Sequence, residues 1–441
     1  MSMIKSSKKG SVIVFLTSIL MTMIMVGMVF VHAGRSICGA AYADAVLELA
    51  GRSVLAEFDR RLKDEYGLFA FYGYEDMVAS SIKFYASGSF NKRIPGEIPF
   101  SNDAIIDILR LKTQKIRVDL SRYSLMDTDV MEKQIEEYMK YLIVQKGFMF
   151  IKDMWKNDGS GKQSGQGAGR ALRSQVEISS LPSYGNVSEG INISAMPLKE
   201  LLAFDKAFNE GTLSFKVNEY IMSHFKYNVF GDKAKDTFFT NEVEYVLYGK
   251  MSDADNLRRF RSDFLLLRIA LNSAYIYSNS EKRAAISVLA ETFGAAAPLA
   301  FFVIAEAWAA AEAENDARLL LAGKNVAFKK TDSTWALDLR AAVRVSGVRD
   351  DEGEIVDVNA EQRSIKGYIP PESDTGVSYA DYLRMFLYLE KRETKMLRVM
   401  DLIQINLRGS YYREFLIKDH YTGFSLTAKV SGKTFEYEQK Y

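Results

Sequence analysis

Glu242 and Glu244, in Asn241-Glu242-Val243-Glu244-Tyr245, have the composition of an acid–base pair. An offset of two places them on different sides of a helix, so surface charge or a structural ion pair is the favoured role. Glu306 lies inside an apolar stretch, where a carboxylate needs a partner or a raised pKa. The expected partner is one of the arginines between 257 and 268. The three histidines, His32, His224 and His420, are far apart and form no His-x-x-His or His-Glu-x-x-His spacing, which leaves a zinc hydrolase without support. No Gly-x-Ser-x-Gly elbow is present.

Other spacings fail in the same way. Gly161-Lys162 is followed by Gln163, and Lys156 stands five residues before Gly161, so the phosphate-loop pattern is broken twice. Asp357, Asn359 and Glu361 alternate as calcium ligands do, but lack the central glycine and distal glutamate; a solvated β-hairpin is favoured there. The single cysteine, Cys38, excludes an intramolecular disulfide and a cysteine-rich metal site. It reads as a small helix residue. The expectation is no catalytic residue, no metal and no cofactor. With Lys+Arg 57 against Asp+Glu 56, no basic stripe argues for nucleic acid.

The elements that would position such residues begin with an apolar run. From Val12 to Val31 no charge interrupts the chain, and Lys5, Lys8 and Lys9 precede it. About 20 apolar residues cross a bilayer as a helix, whereas a signal-peptide core has about 7–15. A permanent anchor is therefore favoured over a cleaved signal, and the small hydroxyls of Thr17, Ser18 and Thr22 can bond back to helix carbonyls. The flanking lysines place the amino terminus in the cytoplasm and the rest outside. Beyond Gly39, apolar residues Ala43, Leu47, Ala50, Val54 and Phe58 share one helical face. This amphipathic continuation is expected to end before Gly67 and to be covered, with the protein's own core favoured over a partner's helix.

Further along, a buried strand is expected at 68–72 and another near 116–120, then a helix opening at Asp129 with Glu132 in capping-box spacing and running to about 145. The glycine-rich stretch 157–169 reads as a linker. Helices dominate 196–323, including one that starts at Ser252 and carries Leu257, Phe260, Phe264, Leu267 and Leu271 on its core face. The apolar region 294–311 contains Pro298 and Glu306, leaving about 11 uninterrupted residues against the ~18 of a span; a buried soluble helix is favoured. Alternation predicts β structure in 335–369, one long helix through Tyr382, Phe386, Leu389, Met396, Met400, Ile403 and Leu407, and strands at 415–418, 424–430 and 434–437 that return to an earlier sheet. At 48% hydrophobic and 26% charged residues, the part beyond the anchor is a folded body rather than a disordered stalk.

The expected class is α+β, predominantly helical, with a transmembrane helix continuing into a soluble mixed ectodomain. Its segments are a basic cytoplasmic leader (1–11), the transmembrane helix (12–33), a membrane-proximal α+β region (34–156), a Gly/Ser-rich linker (157–190), a helical region (191–330), and a β-hairpin, long helix and terminal strands (331–441).

Several segments carry a likeness: Lys9-Gly10-Ser11-Val12-Ile13-Val14-Phe15, Tyr42-Ala43-Asp44-Ala45, Glu65-Tyr66-Gly67-Leu68-Phe69, the stretch NEVEYVLYGK at 241–250, Gly323-Lys324-Asn325-Val326, and Met400-Asp401-Leu402-Ile403-Gln404. Together they resemble an uncharacterised family of Gram-positive, clostridia-type membrane-anchored envelope proteins. The first 70 or so residues are similar to TadE/TadG-like pseudopilins of the tight-adherence (Flp) pilus system. The resemblance implies cleavage of the leader between Gly10 and Ser11, and contact with the bilayer and with other pilus-assembly membrane proteins. It departs from the pilin pattern at the fifth mature position, where Phe15 replaces a glutamate and cannot make that residue's ion pair. The leading expectation is a non-enzymatic accessory part of such a pilus or secretion system. An anchored module that binds a wall polymer or host surface comes second. An extracellular enzyme built from dispersed acids such as Glu242, Glu244 or Glu306 comes last.

Overall fold

The computed structural model describes residues 7–91, 111, 113–156, 177–187, 190–191, 193, 213–228, 237–340 and 376–441. The stretch 157–169, the acidic stretch 350–361 and the alternating residues 341–369 lie outside them. The chain is α+β and mostly helical, and it divides into two compact units.

The first unit comprises 1–64, 69–130 and 418–441. Helix α1 (Ser7–Leu55) is 49 residues long, about 73 Å at 1.5 Å per residue. Its first half is apolar on every side and exposed, from Val12 at 57% to Phe30 at 73%, and it is long and apolar enough to cross a membrane. Thr17 donates to the carbonyls of Ile13 and Val14, and Thr22 to those of Ser18 and Ile19, so neither hydroxyl is left unpaired on the apolar surface.

The second half of α1 is amphipathic, and the protein's own core covers it. Ala43, Val46, Leu47, Ala50 and Val54 pack with α3 (Glu75–Asn91) and with a three-stranded antiparallel sheet of β2 (Thr113–Asp119), β4 (Gly423–Val430) and β5 (Lys433–Lys440), in the order β2-β4-β5. Val118 faces Leu426, and Ala428 faces Phe435. Ser431 (φ 48°) and Gly432 (φ 88°) form the two-residue turn between β4 and β5; positive φ at both positions matches the natural twist of a hairpin. The terminal strands thus return to an earlier sheet, as their alternation predicts.

Three expectations here need correction. Helix α1 stops at Leu55 rather than running to Gly67, and α2 (Arg60–Tyr66) restarts after a turn. Asp59 causes the restart: its carboxylate accepts from the amides of Arg61 (2.8 Å) and Leu62 (2.9 Å) as a helix cap. Burial tends to raise the Asp59 pKa, but His420 and the two amides hold it below its usual value. Phe58 consequently lies past the end of α1 and is only half-buried, edge-on to Phe69. Second, the strand expected at 68–72 shrinks to β1 (Phe71–Tyr72), paired with β3 (His420–Tyr421); residues 417–419 form a 3-10 turn, not a strand. Third, the helix expected from Asp129 is α4 (Thr128–Lys156), and its cap is Asp127, whose carboxylate takes the Asp129 amide at 2.8 Å.

The second unit comprises 65–68 and 131–417. It holds α5 (Leu213–His224), α6 (Glu242–Tyr248), α7 (Asp253–Ser278), α8 (Ser280–Glu291), α9 (Ala297–Leu321), α10 (Tyr379–Leu389) and α11 (Arg392–Ser410). Phe260, Phe264, Leu267 and Leu271 are buried on α7 as their spacing predicts, and Ser252 is its first cap residue. The long helix expected near the carboxyl terminus is two, α10 and α11, broken at Glu390-Lys391. The Glu390 carboxylate accepts from the Lys391 amide at 2.9 Å and the Ile191 amide at 2.7 Å; an uninterrupted helix would spend the Lys391 amide on its own carbonyls.

The β structure expected from 335 is absent in 335–340. The Glu312 carboxylate on α9 takes the amides of Ala336 and Leu337, both at 3.0 Å, and the Leu337 carbonyl takes both the Trp308 and Trp335 indoles. Side chains thus use the groups a strand would pair. The helix α9 itself is buried only in its second half. Leu299, Phe302 and Val303 are 69%, 57% and 53% exposed, so the buried-helix expectation for 294–311 holds for Ile304–Ala311 and fails before it.

Candidate functional site

The second unit is held by charges that the sequence gives no reason to place inside. Arg268 on α7 and Asp316 on α9 are both fully buried and paired at 2.8 Å, and Lys330 reaches Glu312 at 2.6 Å and Asp316 at 2.7 Å. Arg268 Nη1 also donates to the carbonyls of Ala327 and Phe328. Burial tends to lower the Arg268 pKa, but Asp316 keeps it above the usual arginine value. The acid expected to pair with an arginine, Glu306, does not. It is exposed and accepts from Ser273 Oγ at 2.8 Å and Tyr277 Oη at 3.0 Å.

Glu242 and Glu244 are fully buried rather than surface charges. Helix α6 is seven residues long and every one is buried, so both faces of the i, i+2 pair are inside. Each carboxylate acts as an anchor for a nearby segment. Glu242 takes the Lys226 amide (2.8 Å) and Asn406 Nδ2 (2.6 Å), and Glu244 takes the Asn228 amide (2.9 Å) and Tyr379 Oη (2.5 Å). Glu244 Oε2 is left without a partner.

Burial pushes the Glu244 carboxyl up to about 7, against the pull of Tyr379 and the Asn228 amide. A carboxyl that holds its proton more tightly folded than unfolded favours the fold below about 4.5 and loses that contribution as pH rises through 7. At pH 8 the ionised form opposes folding by on the order of 3 kcal/mol. The melting temperature of the wild type is therefore expected to fall more steeply between pH 5 and 8 than that of Glu244→Gln. Parallel profiles in thermal melts would contradict this assignment.

Beside α6 lies a cavity of about 460 Å³, within the range of small-ligand sites. Two of the singled-out segments meet there: 241–250 supplies Tyr245, Tyr248, Gly249 and Lys250, and α11 supplies Arg398, one turn before Asp401. A 3-10 turn at Ile178–Ser180 and the residues after it close another side. Asp401 holds that side in place by accepting from the Ser183 amide and Tyr245 Oη, both at 2.9 Å, and Gln404 Nε2 donates to the Ser180 carbonyl at 2.9 Å. Lys395, Arg398, Asp401 and Gln404 recur every third residue on α11 and are all buried. At about 3.6 residues per turn a spacing of three spreads them round the helix, with Lys395 and Gln404 on opposite sides. Buried polar groups on several sides of one helix are the signal for the site.

Arg398 is the central group. Nη1 donates to the last carbonyls of α6, Val246 (2.9 Å) and Leu247 (2.6 Å), satisfying acceptors that a helix end leaves free. The nearest carboxylate, Glu390, is 3.7 Å away. Burial lowers the Arg398 pKa in spite of the attraction of Glu390 and Asp401. Glycine is required at 249, where a Cβ on a residue of φ +63° would come within 2.8 Å of Arg398 Nε, and at 190, where a Cβ would come within 2.4 Å of the Leu247 carbonyl oxygen. Deeper in, the buried Tyr248 hydroxyl faces the Asp263 carboxyl, and burial pushes that carboxyl up to about 6 against the pull of Arg259 and Tyr248.

The histidines are elsewhere. His420 sits 3.7 Å from Asp59 in the first unit, and His224 stacks on Tyr220 and contacts Ser223 and Tyr138 in the second. Cys38 is exposed on α1. Gly10 lies within α1. Among the described residues no group of three His, Cys, Asp or Glu is placed to hold a metal ion.

The profile of a family of unknown function (DUF5702) matches residues 170–432, which include every residue lining the cavity. No curated protein matches the chain significantly, and no solved structure does.

Proposed function

The chain belongs to the DUF5702 family of unknown function, and from that premise we propose that it is a non-enzymatic, single-pass membrane-anchored protein of the cell envelope. In this reading it is a pseudopilin-like accessory component of a tight-adherence (Flp) type pilus or secretion assembly, with its amino terminus in the cytoplasm and both folded units outside. The carrying observation is the division of labour along α1. Its exposed apolar half suits lipid, and its second half is the central helix of an α+β core. A pilin-like subunit needs this arrangement, since one helix must be held by the membrane at one end and by its own sheet at the other. The family match begins after α1, so the support for this part comes from the helix and from the pseudopilin resemblance.

The non-enzymatic reading rests on how the candidate acids are used. Glu242 and Glu244 are occupied with backbone amides, and Glu306 lies on a different helix with hydroxyl partners. The second reading, an anchored binding module, is favoured by one observation, the cavity beside Arg398.

The pseudopilin reading makes a measurable demand on the leader. Mass spectrometry of the protein purified from its native membrane is expected to find Ser11 as the amino terminus, following cleavage after Gly10. An intact Met1, or loss of the initiator methionine alone, would remove processing from the account.

A further inference from the structure

We propose that the cavity beside α6 binds an oxyanion, a phosphate or carboxylate group carried on a body about the size of a sugar ring, with Arg398 at its floor and Lys250 and Arg259 at its rim. The site is independent of the pilus reading and stands or falls separately from it.

Charge is the first argument. Among the described residues lining the cavity, Lys250, Arg259 and Arg398 are cationic and none is an aspartate or glutamate. The described acids nearby lie behind the lining: Glu390 is turned to the amides of Ile191 and Lys391, and Asp401 to Ser183 and Tyr245, though both still attract Arg398. Asp263 stands 3.9 Å from Arg259 and offsets rim charge. It is the lining, rather than the sum over its surroundings, that is cationic.

Geometry is the second. Nη1 of Arg398 is fixed on two carbonyls, whereas Nε and Nη2 make no hydrogen bond with the described residues. A guanidinium locked at one nitrogen with two donors free presents a fork of the kind that recognises phosphate or carboxylate. Gly249 keeps a side chain off that fork, because a Cβ there would come within 2.8 Å of Nε and 3.1 Å of Nη2. Tyr245 and Tyr248 add ring surface. A volume of about 460 Å³ exceeds what an isolated inorganic ion fills. That is why the guest is assigned a ring-sized body.

Isothermal titration calorimetry on the full-length protein in detergent tests this with four probes: inorganic phosphate, glucose 1-phosphate, glucuronate and uncharged glucose. The two sugar anions are expected to bind with Kd in the micromolar to low millimolar range, inorganic phosphate at least tenfold more weakly, and glucose undetectably. Tighter binding of glucose 1-phosphate than glucuronate assigns the group as phosphate, and the reverse order assigns it as carboxylate. Because Arg398 also caps α6, its removal risks the fold, so the decisive variant is Lys250→Ala at the exposed rim, which leaves Arg259 beside the buried Asp263. It should melt like the wild type and bind the sugar anions at least tenfold more weakly. Arg398→Lys, which keeps the charge but loses the fork, should weaken them too. Absence of anion binding by the wild type, equal binding of glucose, or unchanged affinity in the rim variant would each overturn the proposal.

Discussion

Replacing Arg268 by methionine should cost about 3–5 kcal/mol of stability. Its partner Asp316 is fully buried at 2.8 Å, and the same guanidinium holds the carbonyls of Ala327 and Phe328. Methionine fills similar volume, so the loss is electrostatic rather than a cavity effect. It leaves Glu312 and Asp316, two buried carboxylates, sharing Lys330 alone. Breaking a buried pair from one side costs far more than the pair's net worth, because the abandoned charge has no water to return to. Chemical denaturation should show a large drop in midpoint. Arg268→Met/Asp316→Leu should recover much of it, since removing both partners removes the stranded charge. A single variant within 1 kcal/mol of wild type would mean that water reaches Asp316.

Leu47→Asp should be comparably severe, at more than about 4 kcal/mol. Leu47 is fully buried between α3 and the sheet, and an aspartate there loses the leucine's packing and buries an unpaired charge. Phe58→Asp, one residue before the cap of α2, should cost only about 1 kcal/mol. Phe58 is half-buried and gives up an edge contact with Phe69 and the Lys63 ammonium over its ring. The contrast places the core of the first unit on the Ala43–Val54 part of α1. Equal losses at the two positions, measured by denaturation of the full chain, would argue that a partner rather than the sheet covers that face.

Hydrophobic period made much of the fold legible. The apolar run of 12–31 and the three- and four-residue spacing after it define α1, and alternation around Ser431-Gly432 defines the final hairpin. Both signals are local, and local rules decide them. The misread places share a different cause, which is a side chain taking a backbone group. Glu312 bonds the amides of the distant Ala336 and Leu337, so an alternating stretch does not become a strand there. Asp59 takes the amides of Arg61 and Leu62 where α2 restarts, and Glu390 takes the Lys391 amide at the break between α10 and α11, inside a 4, 3 rhythm interrupted only at Glu393.

The candidate site was hidden by composition. Charged residues are rarely buried without partners, so Glu242 and Glu244 read as surface, and Arg398 draws no notice within a helix judged by its leucines and methionines. What could have drawn attention is that Lys395, Arg398, Asp401 and Gln404 are spread round a helix whose apolar residues, Met396, Val399, Met400, Ile403 and Leu407 among them, leave no solvent side. Polar groups interspersed among them therefore have to be matched by buried partners.

In the topology we propose, α1 anchors the chain in the membrane with both folded units outside the cell. Protease added to intact cells stripped of their wall tests it most directly, read with antibodies to each end of the chain. The account predicts digestion of everything beyond about residue 35, with the short amino-terminal part protected until detergent is added. Full protection of the carboxyl-terminal half before detergent would contradict it.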